Sequence, residues 1–122
     1  MLHLSTLGKT WILDVDGTLV KHNGYKIDGY DTLLPGVETF FANLSPQDKV
    51  ILLTARLQKD IPALKAFLAQ HHVRYDYLLS ELPTGERILV NDTKPSGLCC
   101  GYAVNKKRDE KLAILFEEDP YL

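Results

Sequence analysis

Residues 11–20 read Trp11-Ile12-Leu13-Asp14-Val15-Asp16-Gly17-Thr18-Leu19-Val20. Four apolar side chains (Trp11, Ile12, Leu13 and Val15) run up to and interleave with two carboxylates, and a glycine and a threonine follow at once. A nearly unbroken apolar run of this length has the pattern of a strand buried on both faces of a parallel sheet. Side chains alternate along a strand, so Asp14 and Asp16 share a face if extended geometry continues. Two carboxylates at that spacing, at the rim of an apolar sheet, repel each other and lose solvation. A chain keeps such a pair for a cation or for acid–base chemistry. A solvated loop is the ordinary alternative. A calcium loop beginning at Asp14 fails, because Gly17 comes too early, Leu19 stands where the loop glycine belongs, and Tyr25 occupies the place of the closing acid.

Working outward, further short apolar runs predict strands at Val50–Thr54, Tyr77–Leu79, Ile88–Asn91 and Tyr102–Val104. Helical periodicity falls between them. Pro35 and Gly36 open a stretch with Val37, Phe40, Phe41 and Leu44 on one stripe, closed by Asn43, Ser45 and Pro46. A second helix is expected from Asp60 as N-cap, with Pro62 in its first turn and Ile61, Leu64, Phe67 and Leu68 inward. A third is expected over Arg108–Glu118, with Leu112, Leu115 and Phe116 inward. Asn23-Gly24 predicts a hairpin turn in a flap over residues 18–27. Alternating strands and helices imply right-handed crossovers and a parallel α/β sheet with helices on both faces. Residues 1–122 are expected to form one domain.

Ligands of such sheets bind beyond the carboxyl ends of the strands. There the chain places Asp14 and Asp16, then Thr54-Ala55-Arg56, then Asn91-Asp92-Thr93-Lys94. Converging carboxylates suit a hard cation such as Mg²⁺, which binds few protein oxygens and keeps waters. Carboxylates, a hydroxyl, a lysine and a metal together suit an anionic, phosphate-like substrate. One aspartate is suited to attack phosphorus and the other to move protons.

Asp14-Val15-Asp16-Gly17-Thr18-Leu19 after an apolar strand resembles the first motif of the haloacid dehalogenase superfamily. Leu52-Leu53-Thr54-Ala55-Arg56 resembles its second motif, and Ile88-Leu89-Val90-Asn91-Asp92 its fourth. The resemblance covers almost the whole chain. It implies a three-layer Rossmann-like core and a Mg²⁺-dependent phosphomonoester hydrolase working through an aspartyl-phosphate. It implies Asp14 as nucleophile and metal ligand. Asp16 would be general acid and then base, with its backbone carbonyl on the metal. Thr54 would hold the phosphoryl group, with Ala55 and Arg56 beside it at the substrate. Asp92 would complete the metal site, with Asn91 as the rival ligand. An acid at the Asp16 position marks the phosphatases of the superfamily; its P-type ATPase members carry threonine there. Two departures stand out. The fourth motif is Asn91-Asp92 rather than two acids, and the third-motif cation is not obvious. Lys94 is the first choice for that cation and for a contact to the substrate phosphate, with Arg74, Arg87 and Lys59 as rivals.

The gaps between these motifs are too short for a cap domain, so the resemblance implies a capless enzyme with an open site. Such a site takes a large substrate or borrows a lid from a neighbouring subunit of a homo-oligomer. Lys21, His22 and Tyr25 of the flap are candidate substrate contacts. A sugar phosphate or similar small metabolite is the expected substrate. A phosphoprotein, a nucleic-acid end, or a non-catalytic phosphate-binding module is the alternative. Composition narrows this further. The 122 residues are 45% hydrophobic and 25% charged, with a formal net charge of −2. That balance gives no basic signal for nucleic acid. No apolar run approaches the roughly 18 residues of a membrane span, and the opening residues lack the pattern of a signal peptide. The adjacent Cys99 and Cys100 are expected as reduced thiols, small buried hydrophobes in a cytoplasmic protein. His71 and His72 are expected merely to close the second helix, and Trp11 to lie in the core.

Overall fold

The computed structural model describes residues 1–122. In chain order the elements are β1 (Leu2–Leu4), β2 (Thr10–Asp14), α1 (Gly24–Ile27), α2 (Val37–Ala42), β3 (Lys49–Leu53), a 3₁₀ turn (Gln58–Asp60), α3 (Ile61–Gln70), β4 (Tyr77–Leu79) and β5 (Phe116–Glu118). β2, β3 and β4 lie side by side in that order, all parallel, with Asp14 opposite Leu53 and Leu53 opposite Leu79. β1 and β5 form a separate parallel pair. No helix is long and apolar enough to cross a membrane.

The strands step across the sheet in one direction, so right-handed crossovers carry α2 and α3 to the same face. There Leu13, Val15, Val50 and Leu52 meet Val37, Phe40 and Phe41 of α2 and Ile61, Leu64 and Leu68 of α3 in one core. The helical stripes read from the sequence are the buried ones, although Phe67 is only half-buried. Trp11 packs edge-on to Phe40 at 5.3 Å, and its Nε1–H donates to the buried Asp48 at 2.9 Å, so a half-buried indole keeps a polar partner.

The opposite face is not covered. Ile12, Ile51 and Tyr77 line up across it, and Ile12 and Tyr77 are 51% and 62% exposed. Thus β2 is buried on one face only, although its sequence reads as buried on both. The helix expected over Arg108–Glu118 is not formed. Asp109 sits in the left-handed region at φ 63°, which interrupts a right-handed helix. Leu112 N–H is drawn instead to the Pro35 carbonyl at 2.9 Å, and Phe116 joins β5. Gly36, at φ 87°, admits this approach, since a Cβ there would overlap the Leu112 carbonyl.

The strands expected at Ile88–Asn91 and Tyr102–Val104 are also absent. Ile88 and Val90 are 87% and 90% exposed, and no strand pairs with the free edge of β2. Strand propensity is expressed only against a partner, and this run has none. The cysteines are free, with Cys99 exposed and Cys100 half-buried. They are not the buried hydrophobes expected, because their segment lies outside the core.

Candidate active site

Asp14 ends β2, and the chain turns sharply after it. The Val15 carbonyl accepts from the N–H groups of Thr18, Leu19 and Val20, and Gly17 takes φ 85° to close the turn. Only glycine adopts that angle without strain. Thr18 Oγ1 donates to Asp14 Oδ2 at 3.1 Å, which orients the first carboxylate. Behind the turn, Lys106 Nζ and Asp109 N–H both donate to the Gly17 carbonyl, at 3.1 and 2.9 Å. Asp109 Oδ1 accepts from His22 N–H at 2.7 Å. The segment expected to be helical therefore backs the turn that carries the acids.

The flap differs from the expected hairpin. Pairing runs between residues 19–21 and 32–34, through Leu34 N–H to the Leu19 carbonyl and Lys21 N–H to the Thr32 carbonyl. Asn23 takes the left-handed conformation that its sequence signals, but it starts the single turn of α1 rather than a hairpin. The N–H groups of Lys26 and Ile27 turn back onto the Asn23 carbonyl and that of Asp28 onto the Gly24 carbonyl, so the residues after Gly24 wind into a helical turn instead of returning as a strand. Lys21 Nζ binds Asp28 Oδ2 at 2.9 Å across the loop, and this hydrogen bond holds the lysine pKa above its ordinary value.

Thr54 follows β3 and is fully buried. Its hydroxyl donates to Asp16 Oδ2 at 2.7 Å and accepts from Arg56 N–H at 3.1 Å. Arg56 Nε and Nη2 reach Asp16 Oδ1 at 2.9 and 2.8 Å. Its Nη1 and Nη2 grip both oxygens of Asp31 at 3.0 and 2.7 Å, and the Tyr25 ring covers the guanidinium at 3.8 Å. The Arg56 side chain is 2% exposed. Burial works against its charge, but the hydrogen bonds it donates to Asp31 and Asp16, with their negative charge, outweigh burial and hold its pKa above the ordinary value. Asp31 escaped the sequence reading. A lone acid in a flap has no periodic or motif signal, and only its pairing with a buried arginine marks it.

The candidate cations separate clearly. Arg87 Nη1 lies 3.0 Å from Asp14 Oδ1. Arg74 is committed to the Ser45 and Asp48 carbonyls at 2.7 and 3.1 Å, a structural role. Lys59 lies exposed in the 3₁₀ turn. Lys94 is exposed in a turn closed by Gly97 N–H on its carbonyl, and no hydrogen bond or ion pair joins it to either acid. Ala55 is exposed beside Thr54. Asn91 and Asp92 are exposed, with Asn91 Nδ2 bound to the Cys100 carbonyl at 3.1 Å. No group of three His, Cys, Asp or Glu side chains is assembled to hold a metal. The structure thus joins Asp14 to Arg87, and Asp16 to Thr54 and Arg56, at two neighbouring positions of one turn, and no hydrogen bond or ion pair brings Asn91, Asp92 or Lys94 to either group.

One cavity, of about 580 Å³, lies between residues 30–39 and α3 and touches none of Asp14, Asp16 and Thr54. A second of about 420 Å³ is lined by Tyr25, Asp31, Arg56 and Lys59 and borders the acid cluster through Arg56. Compared with family models, curated proteins and solved structures, the chain shows no match to any of them.

Proposed function

We propose that the chain hydrolyses phosphomonoesters at the carboxyl ends of β2 and β3. The observation that carries this reading is the hydrogen bond from Thr54 Oγ1 to Asp16 Oδ2, 2.7 Å long, which joins two strand ends that the sequence marked separately. In the proposed step an Asp14 carboxylate oxygen attacks phosphorus and the ester P–O bond breaks. Asp16, entering the step as the acid, gives a proton to the leaving oxygen. Water then attacks the aspartyl-phosphate, Asp16 takes the water proton, and inorganic phosphate leaves with Asp14 restored. Arg87, already against Asp14, fits the role of the third-motif cation in place of Lys94, because a charge there offsets the charge developing at the phosphoryl group.

Mg²⁺ belongs to the proposal through the resemblance. The Asp14 carboxylate and the Asp16 backbone carbonyl would hold it, and Mg²⁺ is bound by as few as one or two carboxylates with waters completing its shell. Bound there, it would neutralise phosphoryl charge. The reading carries with it the three-layer capless core, whose second layer would cover Ile12, Tyr77 and Leu79. It also carries a cytoplasmic setting, in keeping with the free thiols, and a lid from a neighbouring copy of the chain. A small phosphorylated metabolite such as a sugar phosphate is the proposed substrate, and the second cavity is of small-ligand size.

The test is phosphate release from sugar phosphates, nucleotides and phosphopeptides, with Mg²⁺ or chelator, with Asp14→Asn beside the wild type. Metal-dependent release that the variant loses supports the reading and ranks the substrates. Binding of phosphosugar without turnover would leave a non-catalytic phosphate-binding module. Preference for phosphopeptides or nucleic-acid ends would overturn the small-metabolite assignment.

A further inference from the structure

We propose that Asp31 is a positioning residue that sets the Asp16 carboxylate from the flap, acting through Arg56. This rests on the phosphatase reading above for its catalytic meaning and on the geometry alone for its structural one. The guanidinium is held from two sides. Its Nη1 and Nη2 face Asp31 in a two-point grip at 3.0 and 2.7 Å, and its Nε and Nη2 face Asp16 Oδ1 at 2.9 and 2.8 Å. A two-point arginine–carboxylate pair fixes the plane of the guanidinium as well as its place. The Asp31 and Arg56 side chains are 5% and 2% exposed, so water does not compete for the pair. The backbone of Arg56 is fixed too, by N–H on Thr54 Oγ1 and by its carbonyl on Glu81 N–H at 2.9 Å.

The consequence follows from the donor inventory. With Oδ1 of Asp16 engaged by Arg56, Oδ2 is the oxygen left for Thr54 and for proton transfer. Loss of Asp31 frees the guanidinium to turn, and Asp16 loses its fixed plane. Asp31 lies in the loop between α1 and the Val20–Leu33 bridge, so this links the flap to the acid. Tyr25, over the guanidinium at 3.8 Å, comes from the same loop. Lys21–Asp28 also fastens the loop but does not touch Arg56, which makes it the natural control.

The experiment compares wild type, Asp31→Asn, Asp31→Glu and Asp28→Asn. It reads p-nitrophenyl phosphate kinetics with Mg²⁺, melting curves, and the Arg56 Nε–H signal in ¹⁵N NMR. Misplacing a reacting group is costly, so Asp31→Asn is expected to lower kcat by ~10-fold or more with KM nearly unchanged. The Arg56 Nε–H signal should shift and exchange faster. Asp31→Glu should recover part of the rate, and Asp28→Asn should keep it. Unchanged kcat and an unchanged Arg56 signal in Asp31→Asn would overturn the proposal. So would equal losses in Asp31→Asn and Asp28→Asn, which would reduce Asp31 to a flap fastener. If the wild type proves inactive on phosphomonoesters while its Arg56 signal still depends on Asp31, the positioning stands and the phosphatase reading fails. Should Asp31→Asn not fold, separate and slowly exchanging Nη–H signals of wild-type Arg56 support the grip, since Nη1 and Nη2 are the donors that face Asp31, and averaged or fast-exchanging ones overturn it.

Discussion

Thr54 Oγ1 donates to Asp16 Oδ2 at 2.7 Å, and through that bond the end of one strand fixes an acid that follows the end of its neighbour. If the two carboxylates divide the chemistry as proposed, their conservative variants should fail differently. Asp14→Asn removes the attacking oxygen and is expected to lower kcat at least ~10³-fold. Asp16→Asn removes the proton carrier and is expected to cost ~10²- to 10⁴-fold, with the least loss on substrates whose leaving group needs no proton. Steady-state kinetics on an alkyl and an aryl phosphate measure both.

Arg87 and Lys94 are separated by one pair of substitutions. The Arg87–Asp14 pair is exposed at 43% and 33%, so Arg87→Ala should scarcely move the melting temperature. Its kcat should nevertheless fall ~10²-fold, the scale of losing one charge-stabilising donor. A larger loss in Lys94→Ala would return the third-motif role to Lys94.

Arg56 holds two carboxylates in a nearly dry place. Arg56→Ala leaves both uncompensated, and a stability loss of ~3–5 kcal/mol is expected. Arg56→Lys should recover little, because an ammonium cannot span Asp16 and Asp31 with a planar fork. Urea denaturation gives the values. A loss below ~1 kcal/mol would mean that the cluster is solvated.

Gly36→Ala and Gly29→Ala put the same backbone strain in different surroundings. Both glycines have positive φ, at 87° and 83°, but only Gly36 faces backbone, the Leu112 carbonyl, while nothing lies within 4 Å of Gly29. Gly29→Ala should cost about 1 kcal/mol, and Gly36→Ala clearly more. Equal costs in thermal melts would show that Leu112 does not press on α2.

Acid should weaken the sheet through Asp76. Val50 N–H, donating to Asp76 Oδ2 at 2.8 Å, holds this carboxyl below its ordinary pKa, and Lys49 and Arg74 add to the effect. A carboxyl depressed in the folded state contributes stability above its unfolded pKa of about 4, and that contribution disappears as pH falls through the folded value. Asp76→Asn should therefore be less stable near neutrality and lose less stability on acidification. Urea midpoints from about pH 6 down to about pH 3 test the sign.

Much of the central unit was legible. The apolar run into Asp14, the run into Thr54 and the stripe Ile61-Leu64-Leu68 are local patterns, and each strand they describe pairs with the next strand along the chain. The acid pair and Thr54 were legible as strand-end chemistry, and the structure brings Asp16 and Thr54 together. The remainder depends on distant contacts. Ile88-Leu89-Val90 reads as a strand from composition, yet a strand exists only when another edge accepts it. Residues 108–118 carry a helical stripe, yet Asp109 takes a positive φ and Leu112 bonds to Pro35. Nothing local to Asp31 announces that an arginine far along the chain requires it.

The pairing of β1 with β5 has a dynamic consequence. Leu2 faces Phe116, so a parallel pair only three residues long closes a loop made of almost the whole chain. The entropy cost of closure grows with loop length, while the hydrogen bonds that offset it are few. Opening there is therefore local and cheap compared with unfolding β2–β3–β4. Amides of β1 and β5 should exchange with solvent together and ahead of those in β3, which has a strand on either side. When that clasp opens, Lys106, Asp109 and Leu112 become the next hold on the segment behind the acid-bearing turn, so opening at the termini stops short of the Asp14–Thr18 turn for as long as those contacts last.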